Sequence, residues 1–251
     1  MKKFISNKYI LFILGFLFVI LLWFILSLCF DHNTIIFPSP IDTFKSVGIY
    51  LTKAKTYLDI GASLLKMTIG FCFSFIIAFI LGTIVADNPH LYNFFTPLIS
   101  TFKTIPTASL VFLFIVLSGA RYAPVYVVIL ICFPILYESI VGGYKSINPQ
   151  ILFATRVDGV GYLRTLFKVK IPLSMPHIIV GISSSFALSF KIEIMAEIIS
   201  GDTHNGLGVA IKTAQTQNVV DMTPIFALSF IAIILMLGLS LLNLKIKRTL
   251  S

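Results

Sequence analysis

Ionisable side chains inside stretches of otherwise apolar sequence are informative, because a charge is costly there, and four of them could act together. Lys191, Glu193 and Glu197 lie in one such stretch, and Lys66 lies near the start of another. On a helix Glu193 and Glu197 are four residues apart and share a face, whereas Lys191 lies roughly 200° away from Glu193. Two carboxylates on one face repel each other unless a cation approaches or one carboxyl group is protonated. We therefore predict an ion pair between Lys66 and either Glu197 or Glu193.

Two interpretations of these four residues stay open. They form structural ion pairs between packed helices, or they line an outer gate or a translocation path. Catalytic and metal chemistry is not indicated. The histidines are scattered without ligand spacing, so we expect no metal site, and we expect no enzyme because the chain contains no HExxH, no GxSxG and no facing pair of aspartates.

The composition explains why intramembrane charges are the relevant ones. Of 251 residues, 57% are hydrophobic and 12% are charged, and the mean hydropathy is +0.99. An average globular chain is about 45–50% apolar and about 25% charged. A soluble fold could not cover this much apolar surface with so few charged side chains. The sequence therefore predicts an integral, multi-pass protein of the cell membrane.

The net charge of +9 is interpreted as that of a membrane protein. In a soluble domain it would suggest nucleic acid as a partner. Here the basic residues gather at the ends of apolar runs, where membrane topology and anionic lipid account for them. We expect contact with membrane lipid and no nucleic-acid binding.

Six apolar runs are long enough to cross a hydrocarbon core of about 30 Å. They predict an all-α protein with six transmembrane helices over residues 9–30, 63–86, 97–118, 123–143, 174–200 and 224–244. No linker or repeat divides the chain, so residues 1–251 are predicted to form one membrane domain. The first run is too long for a typical signal-peptide core and no small-x-small site follows it, which favours a retained helix.

The distribution of Lys and Arg predicts the orientation. With the amino terminus inside, the inner segments hold eleven of these residues and the outer loops hold five. Since cytoplasmic loops are enriched in Lys and Arg, both termini are predicted to be cytoplasmic.

Small residues and prolines within the spans predict where helices approach and bend. Gly70, Gly82 and Gly181 should allow close contact between helices. Pro106 and Pro134 should kink the helices that contain them.

Residues 144–173 form a long basic segment on the predicted inner side. The segment is too long for a simple connection and not apolar enough to span the membrane. It fits either an interfacial helix pair lying on anionic lipid or a docking element for a cytoplasmic partner.

Local signals divide this segment into two short helices. Pro149 suits the first turn of a helix, and Asn148 suits its cap. Residues 159–161, Gly-Val-Gly, should break that helix. A second short helix is predicted over residues 162–170, with Pro172 ending it before the next span.

The segment resembles the EAA loop of ABC-transporter permease subunits from binding-protein-dependent importers. That motif runs Glu-Ala-Ala, three residues, Gly, nine residues, then aliphatic, any residue, aliphatic and Pro. Phe153 stands where Glu is usual and Thr155 where the second Ala is usual, while Asp158 and Gly159 form the turn. By resemblance, the ATPase-coupling loop contains Phe153, Ala154, Thr155, Asp158, Gly159, Gly161, Ile171 and Pro172.

Elements outside the loop resemble one branch of the same family, which serves sulfonates, taurine, nitrate and thiamine or riboflavin precursors. Residues 37–40, Phe-Pro-Ser-Pro, are similar to its Leu-Pro-Ser-Pro element. Ser63 to Lys66 followed by Gly70-Phe71 is similar to its Ser-Leu-x-Arg…Gly-Phe. Ala196-Glu197 followed by Gly206-Leu207-Gly208 is similar to its Ala-Glu…Gly-Leu-Gly ending.

The resemblance implies a type I ABC importer permease fold and a permease function. Two copies of the chain would form a homodimer with two cytoplasmic ABC ATPase subunits and an extracytoplasmic substrate-binding protein. ATP and Mg would be bound by the ATPase, since this chain contains no Walker-type loop, and no cofactor is expected in the chain itself. The implied solute is a small organic anion such as a sulfonate, or a vitamin-precursor heterocycle.

One alternative function follows from the charged residues alone. An ion-coupled secondary carrier would use Glu193 and Glu197 as its relay. This alternative leaves the long basic segment unexplained.

Overall fold

The computed structural model describes residues 8–30, 33–217 and 220–250, and all regular elements within these ranges are helical. The predicted all-α class is therefore confirmed. In chain order the helices are α1 (Lys8–Cys29), α2 (Pro40–Leu51), α3 (Ala54–Ala86), α4 (Pro89–Thr104), α5 (Thr107–Ser118), α6 (Ala123–Lys145), α7 (Pro149–Val157), α8 (Tyr162–Thr165), α9 (Ile171–Ser200), α10 (Leu207–Gln217) and α11 (Thr223–Leu250).

Four of the described helical runs are long and apolar enough to cross a membrane, and α4 with α5 makes a fifth if that bent pair counts as one span. The four runs are Ala54–Ala86, Ala123–Lys145, Tyr162–Ser200 and Thr223–Leu241. Helix α1 coincides with the first predicted span, and its part Leu14–Cys29 is a shorter apolar helix. Six spans with both termini cytoplasmic stay a prediction, and residues 1–7, whose lysines entered the charge count, lie outside the described ranges.

Helix α6 lies between α3 and α9 and makes the most extensive contacts of the fold with these two helices. The three predicted glycines lie at these contacts. A Cβ atom at Gly70 would be 2.9 Å from the backbone oxygen of Val125, and one at Gly82 would be 3.0 Å from Ile140 Cγ2. A Cβ at Gly181 would overlap the side chain of Ser139. Close approach at glycine is thus confirmed on both faces of α6.

The third predicted span, residues 97–118, is broken rather than kinked, and it starts earlier than predicted. Helix α4 already begins at Pro89, and the chain bends by 98° between α4 and α5. The bend lies at Ile105, whose ψ of 127° is extended, directly before Pro106. Proline disfavours a helical conformation of the residue before it and offers no N–H to the helix, so Pro106 breaks the span rather than kinking it. Pro134, by contrast, lies inside α6 without interrupting it.

Three further segments differ from the prediction. Helix α3 begins at Ala54 rather than at residue 63, because its first residues are helical but too polar to register as a membrane span. The predicted outer loops contain α2 and α10. Helix α2 starts where Ser39 Oγ accepts a hydrogen bond from the backbone N–H of Asp42 at 3.1 Å, with proline in the first turn.

The predicted stop at Pro172 is also wrong. A π-helical turn, Leu166–Lys170, joins α8 to α9, so Tyr162–Ser200 is one unbroken helical run. Pro172 lies in the first turn of α9. The wider π-helical turn before it changes the backbone hydrogen-bonding pattern at the point where proline offers no N–H, and the helix continues.

Trp23 contributes to anchoring the amino-terminal helix α1. The indole N–H of Trp23 donates to the backbone oxygen of Pro38 at 3.2 Å. Its ring lies 6.1 to 6.5 Å from the rings of Phe44, Phe226 and Phe230. Trp23 thereby joins α1 to α2 and α11.

The bundle has two ends that matter for function. We call the end formed by Asp87, Lys145 and α7 the basic end. We call the end formed by Lys66 and residues 201–206 the far end. Helix α3 runs from the far end to the basic end, and α9 returns.

The glycine contacts predict a position-specific cost. Gly70→Ala should destabilise the protein by about 1–3 kcal/mol, because the added methyl group meets the backbone of α6. Gly61→Ala, nine residues earlier on the same helix, has no atom within 4 Å of the new Cβ and should be neutral or stabilising. Thermal unfolding of both variants in detergent measures the difference; equal melting temperatures would contradict the packing described.

Candidate functional site

The carboxylate of Glu197 is the centre of the far end. Glu197 is completely buried on α9. Its Oε2 accepts hydrogen bonds from Ser63 Oγ at 2.6 Å and from the backbone N–H of Gly208 at 2.9 Å. Its Oε1 pairs with Lys66 Nζ at 3.0 Å. Of the two ion pairs predicted from the sequence, the structure therefore contains Lys66–Glu197.

The same residues hold the start of α10. Three consecutive backbone N–H groups, those of residues 206–208, donate to Asp59 Oδ1 at 3.2 Å, Ser63 Oγ at 2.8 Å and Glu197 Oε2 at 2.9 Å. The first N–H groups of a helix have no partner within it, and negative charge is favourable there. Side chains of α3 and α9 thus cap α10. A Cβ at Gly206 would overlap the Glu197 carboxylate, which explains the glycine at this position.

Asp202 extends this network toward the surface. Its Oδ2 lies 3.5 Å from Lys66 Nζ, and its Oδ1 lies 2.7 Å from His204 Nδ1. Burial raises the pKa of Asp202, but hydrogen bonds from the ring and backbone of His204, with the nearby Lys66 ammonium, hold that pKa below its ordinary value overall. Asp202 is therefore a carboxylate at neutral pH and a second anionic partner for Lys66.

The other two predicted path residues are not part of this network. Glu193 is completely buried one turn before Glu197, and neither of its carboxylate oxygens has a hydrogen-bond partner among the described residues. Lys191 is exposed and forms no ion pair within the described ranges. The structure brings together two of the four residues, Lys66 and Glu197, and leaves Lys191 on another face.

A cavity of about 710 Å³ lies beside Lys66 at the far end. Its polar lining includes Lys66, Arg121 and His204, and its apolar lining includes Phe73 and Tyr126. Cavities of this size hold small molecules in other proteins. The charge network therefore forms one wall of a space that a small solute could occupy.

The predicted coupling segment has a well-defined first helix. Asn148 caps α7, its side chain accepting from the backbone N–H of Gln150 at 2.9 Å, with Pro149 in the first turn. At the other end Gly159 has a φ of +66°. The N–H groups of Gly159 and Val160 donate to the oxygens of Arg156 at 3.1 Å and Thr155 at 3.0 Å. This is a Schellman termination, which requires the left-handed conformation that glycine adopts readily.

The remaining coupling residues lie around this helix. Phe153 has 67% of its surface exposed, and Ala154 and Asp158 are exposed beside it. The Thr155 hydroxyl donates to the backbone oxygen of Leu152 at 2.9 Å. Gly161 is exposed directly before α8. Ile171 is partly buried and Pro172 exposed at the start of α9.

Sequence reasoning missed the residues that hold the coupling segment to the bundle. Asp87, directly after α3, forms an ion pair with Lys170 and accepts a hydrogen bond from the Tyr162 hydroxyl at 3.0 Å. Lys170 is buried, with 7% of its surface exposed. The available signal was an isolated acidic residue between two apolar runs, facing a segment rich in Lys and Arg.

Sequence reasoning also missed Asp59 at the far end. Asp59, Ser63 and Lys66 follow each other at spacings of four and three residues, which places them on one helix face. The predicted span begins at residue 63, so the prediction does not include Asp59.

Comparison with known proteins identifies the family. A family profile described as "Binding-protein-dependent transport system inner membrane component" matches residues 74–247. The chain belongs to this family. It is a multi-pass inner-membrane component of an ABC transporter, a transport component rather than an enzyme. This membership does not favour the ion-coupled carrier.

Relatives share about a quarter of the aligned residues. The chain is 25% identical over 197 residues to a probable ABC transporter permease protein of Brucella melitensis, covering 77% of each chain. It is 24% identical over 179 residues to the nitrate import permease protein NrtB of Synechocystis, covering 70% of this chain and 64% of the relative. It is 26% identical over 129 residues to the glycine betaine/proline betaine transport system permease protein ProW of Escherichia coli, covering 51% of this chain and 36% of the relative.

Solved structures share the fold. The MetNI methionine ABC transporter in an inward-facing conformation matches with a TM-score of 0.66 at 16% identity, covering 76% of this chain and 93% of the matched chain. An amino acid ABC transporter matches with a TM-score of 0.64 at 14% identity, covering 83% and 97%. The predicted type I importer permease fold is supported by both.

A double-mutant cycle tests the charge network. Lys66→Met should cost about 3–5 kcal/mol, because it leaves the buried Glu197 carboxylate without its cation. In a Glu197→Gln background the same substitution should cost at least about 1 kcal/mol less. Equilibrium unfolding in mixed detergent micelles measures both costs.

The matched control for this cycle is Lys191→Met, which removes an exposed lysine and should change stability by less than about 0.5 kcal/mol. Strictly additive effects of Lys66→Met and Glu197→Gln would show that the pair does not interact.

Proposed function

We propose that the chain is the permease subunit of an ATP-driven importer, in which two copies form the path for a small solute. Two cytoplasmic ABC ATPase subunits supply the energy, and an extracytoplasmic binding protein delivers the solute. Both termini are cytoplasmic in this proposal, which places the basic end inside the cell and the far end outside. The solute is a small organic anion such as a sulfonate, or a vitamin-precursor heterocycle.

The observation that carries this proposal is the surface of the coupling segment. Large apolar side chains of α7 and α8 and of the π-helical turn are exposed at the basic end. They are Ile151, Phe153, Val157, Leu163 and Phe167. An apolar surface on a short, well-capped helix is the chemistry that a groove of a partner protein binds. Interfacial lipid binding alone would not require the rigid attachment through Asp87 and Lys170.

The attachment explains how docking could move the bundle. Asp87 follows α3 directly, and Lys170 precedes α9, so the coupling segment is tied to two of the three central helices. A displacement of the segment by closure of the ATPase would move these helices as rigid bodies. This connection of the coupling segment to α3 and α9 supports alternating access in this chain.

Support for the solute class comes from the far end and from the relatives. The cavity beside Lys66 has a size suited to a small molecule, and Arg121 contributes a further cation to its lining. One relative is named a nitrate import permease and another a betaine permease. In the proposal Lys66 and Glu197 hold the outer gate, with Glu193 buried one turn before Glu197, whereas Lys191 lies on another face of α9.

Purification from native membranes tests the subunit assignment. The tagged chain, extracted in mild detergent, should bring with it an ABC ATPase and an extracytoplasmic binding protein, both identified by mass spectrometry. The binding protein can then be screened against sulfonates and vitamin-precursor heterocycles. A stable oligomer of this chain without an ATPase would contradict the proposal.

A charge placed in the coupling segment tests docking directly. Ala154 is exposed, so Ala154→Asp should leave folding intact and reduce recovery of the ATPase at least about tenfold, since a desolvated unpaired carboxylate at an interface costs more than 1.4 kcal/mol. Gly159→Pro should have the same effect by removing the termination of α7.

The matched control is Asn93→Asp, which adds one negative charge at an exposed position of α4 outside the coupling segment. It should retain the ATPase. Normal assembly of both Ala154→Asp and Gly159→Pro would rule out docking through this segment.

A further inference from the structure

An exposed ion pair lies within the membrane-spanning region. Lys103 Nζ is 2.9 Å from both carboxylate oxygens of Glu138. The two side chains are 46% and 48% exposed, unlike the buried carboxylate of Glu197. Lys103 stands one residue before the end of α4, and Glu138 lies within α6.

The position of the pair makes contact with lipid unfavourable. Glu138 precedes the last residue of α6, Lys145, by seven residues, which places it about 10 Å along the helix from the basic end. A charge at the centre of a bilayer costs about 2.5–3.5 kcal/mol even on the lenient scale, and such side chains face protein or water. Lys103 and Glu138 are only half enclosed by this chain, so the exposed part of each side chain must contact water or polar groups of another protein.

The backbone beside Lys103 also indicates that this region is not in contact with lipid. Helix α4 ends at Thr104 and α5 begins at Thr107 after the 98° bend, leaving peptide groups of the break outside regular helix. At membrane depth, irregular backbone is tolerated only where it is buried in protein or lines a water-filled cavity. Lys103, Thr104 and Pro106 are all exposed at the break.

A hollow between α4 and α6 with a mixed polar and apolar lining is the third observation. It has a volume of about 250 Å³, and its lining includes Thr96, Ser100, Tyr137, Glu138 and Lys145. Tyr137 is 2% exposed, and its hydroxyl has no hydrogen-bond partner among the described residues. A buried hydroxyl needs a partner, and a space of this volume bordered by several polar side chains is large enough for several water molecules.

We propose that this hollow and the Lys103–Glu138 pair border the water-filled half of the solute path that opens at the basic end. This inference rests on the proposed function, since it names the face of the chain along which the solute leaves. The break at Pro106 lies on that face, whereas Ile80 of α3, near the same end, lies on the lipid side in this proposal.

Thiol accessibility tests the inference without any partner protein. In a background with Cys29, Cys72 and Cys132 replaced by alanine, single cysteines are placed by Ser100→Cys and Lys103→Cys. Ser100→Cys leaves the ion pair intact, so a folding defect of Lys103→Cys does not decide the result. Permeabilised membrane vesicles, in which the reagent reaches both faces of the membrane, are treated with sulfonatoethyl methanethiosulfonate. The remaining free thiol is quantified after denaturation.

Ile80→Cys is the matched control. Ile80 is 55% exposed and precedes the end of α3 by six residues, about 9 Å from the basic end. The thiols at positions 100 and 103 should react about tenfold faster than the thiol at position 80, because the reactive thiolate forms only where the thiol is hydrated. Rates at positions 100 and 80 that agree within about twofold would overturn the inference.

Different results would reject the importer assignment and the water-lined face. Labelling requires neither the ATPase nor the solute, so slow labelling at position 100 would reject the water-lined face and leave the purification result unaffected. Fast labelling combined with an ATPase-free oligomer would reject the importer assignment and retain the aqueous face.

Discussion

A carboxylate buried in a membrane helix is tolerated only when its surroundings compensate it, and this constraint organises the far end of the molecule. Glu197 collects the Lys66 ammonium, the Ser63 hydroxyl and the Gly208 N–H. The first two come from α3 and the third from α10, so the charge on α9 cannot be satisfied unless α3, α9 and α10 meet. The start of α10 and the absence of a side chain at Gly206 follow from the same requirement.

At the basic end, a second ion pair connects α3 to the segment before α9. Between the two ends, glycines allow the helices to pack closely. Asp87 binds Lys170 and Tyr162 at the basic end, while Gly70 and Gly181 allow α3 and α9 to approach α6 from either side. A three-helix unit that is held at both ends and in close contact at these glycines resists bending. Movement of the coupling segment would consequently reach the far end as a rotation of the unit rather than as a local deformation. In the proposed importer, this is how nucleotide-driven closure changes access to the cavity beside Lys66.

The sequence was informative where one local signal decides the structure. Hydropathy identified the long apolar helices, Asn148 and Pro149 identified the start of α7, and Gly159 its end. The intramembrane charges predicted the Lys66–Glu197 pair because a buried charge has few possible partners. Prediction failed where tertiary contacts decide. Pro106 breaks a span, whereas Pro172 lies in the first turn of α9 after a π-helical turn and Pro134 lies inside α6, so proline alone does not decide where a helix breaks. The contact of Asp87 with Lys170 joins residues 83 positions apart, which no local pattern encodes.

Site-specific photo-crosslinking from position 153 in native membranes tests the central claim most directly, because Phe153 is the exposed residue at the position where the motif normally has glutamate. A photoreactive amino acid at this position should form a covalent product with a cytoplasmic ABC ATPase, and the same group at Val116, an exposed apolar position of α5, should not. Crosslinking of position 153 to lipid alone, in membranes where the protein is intact and abundant, would contradict the claim that this segment couples the chain to an ATPase.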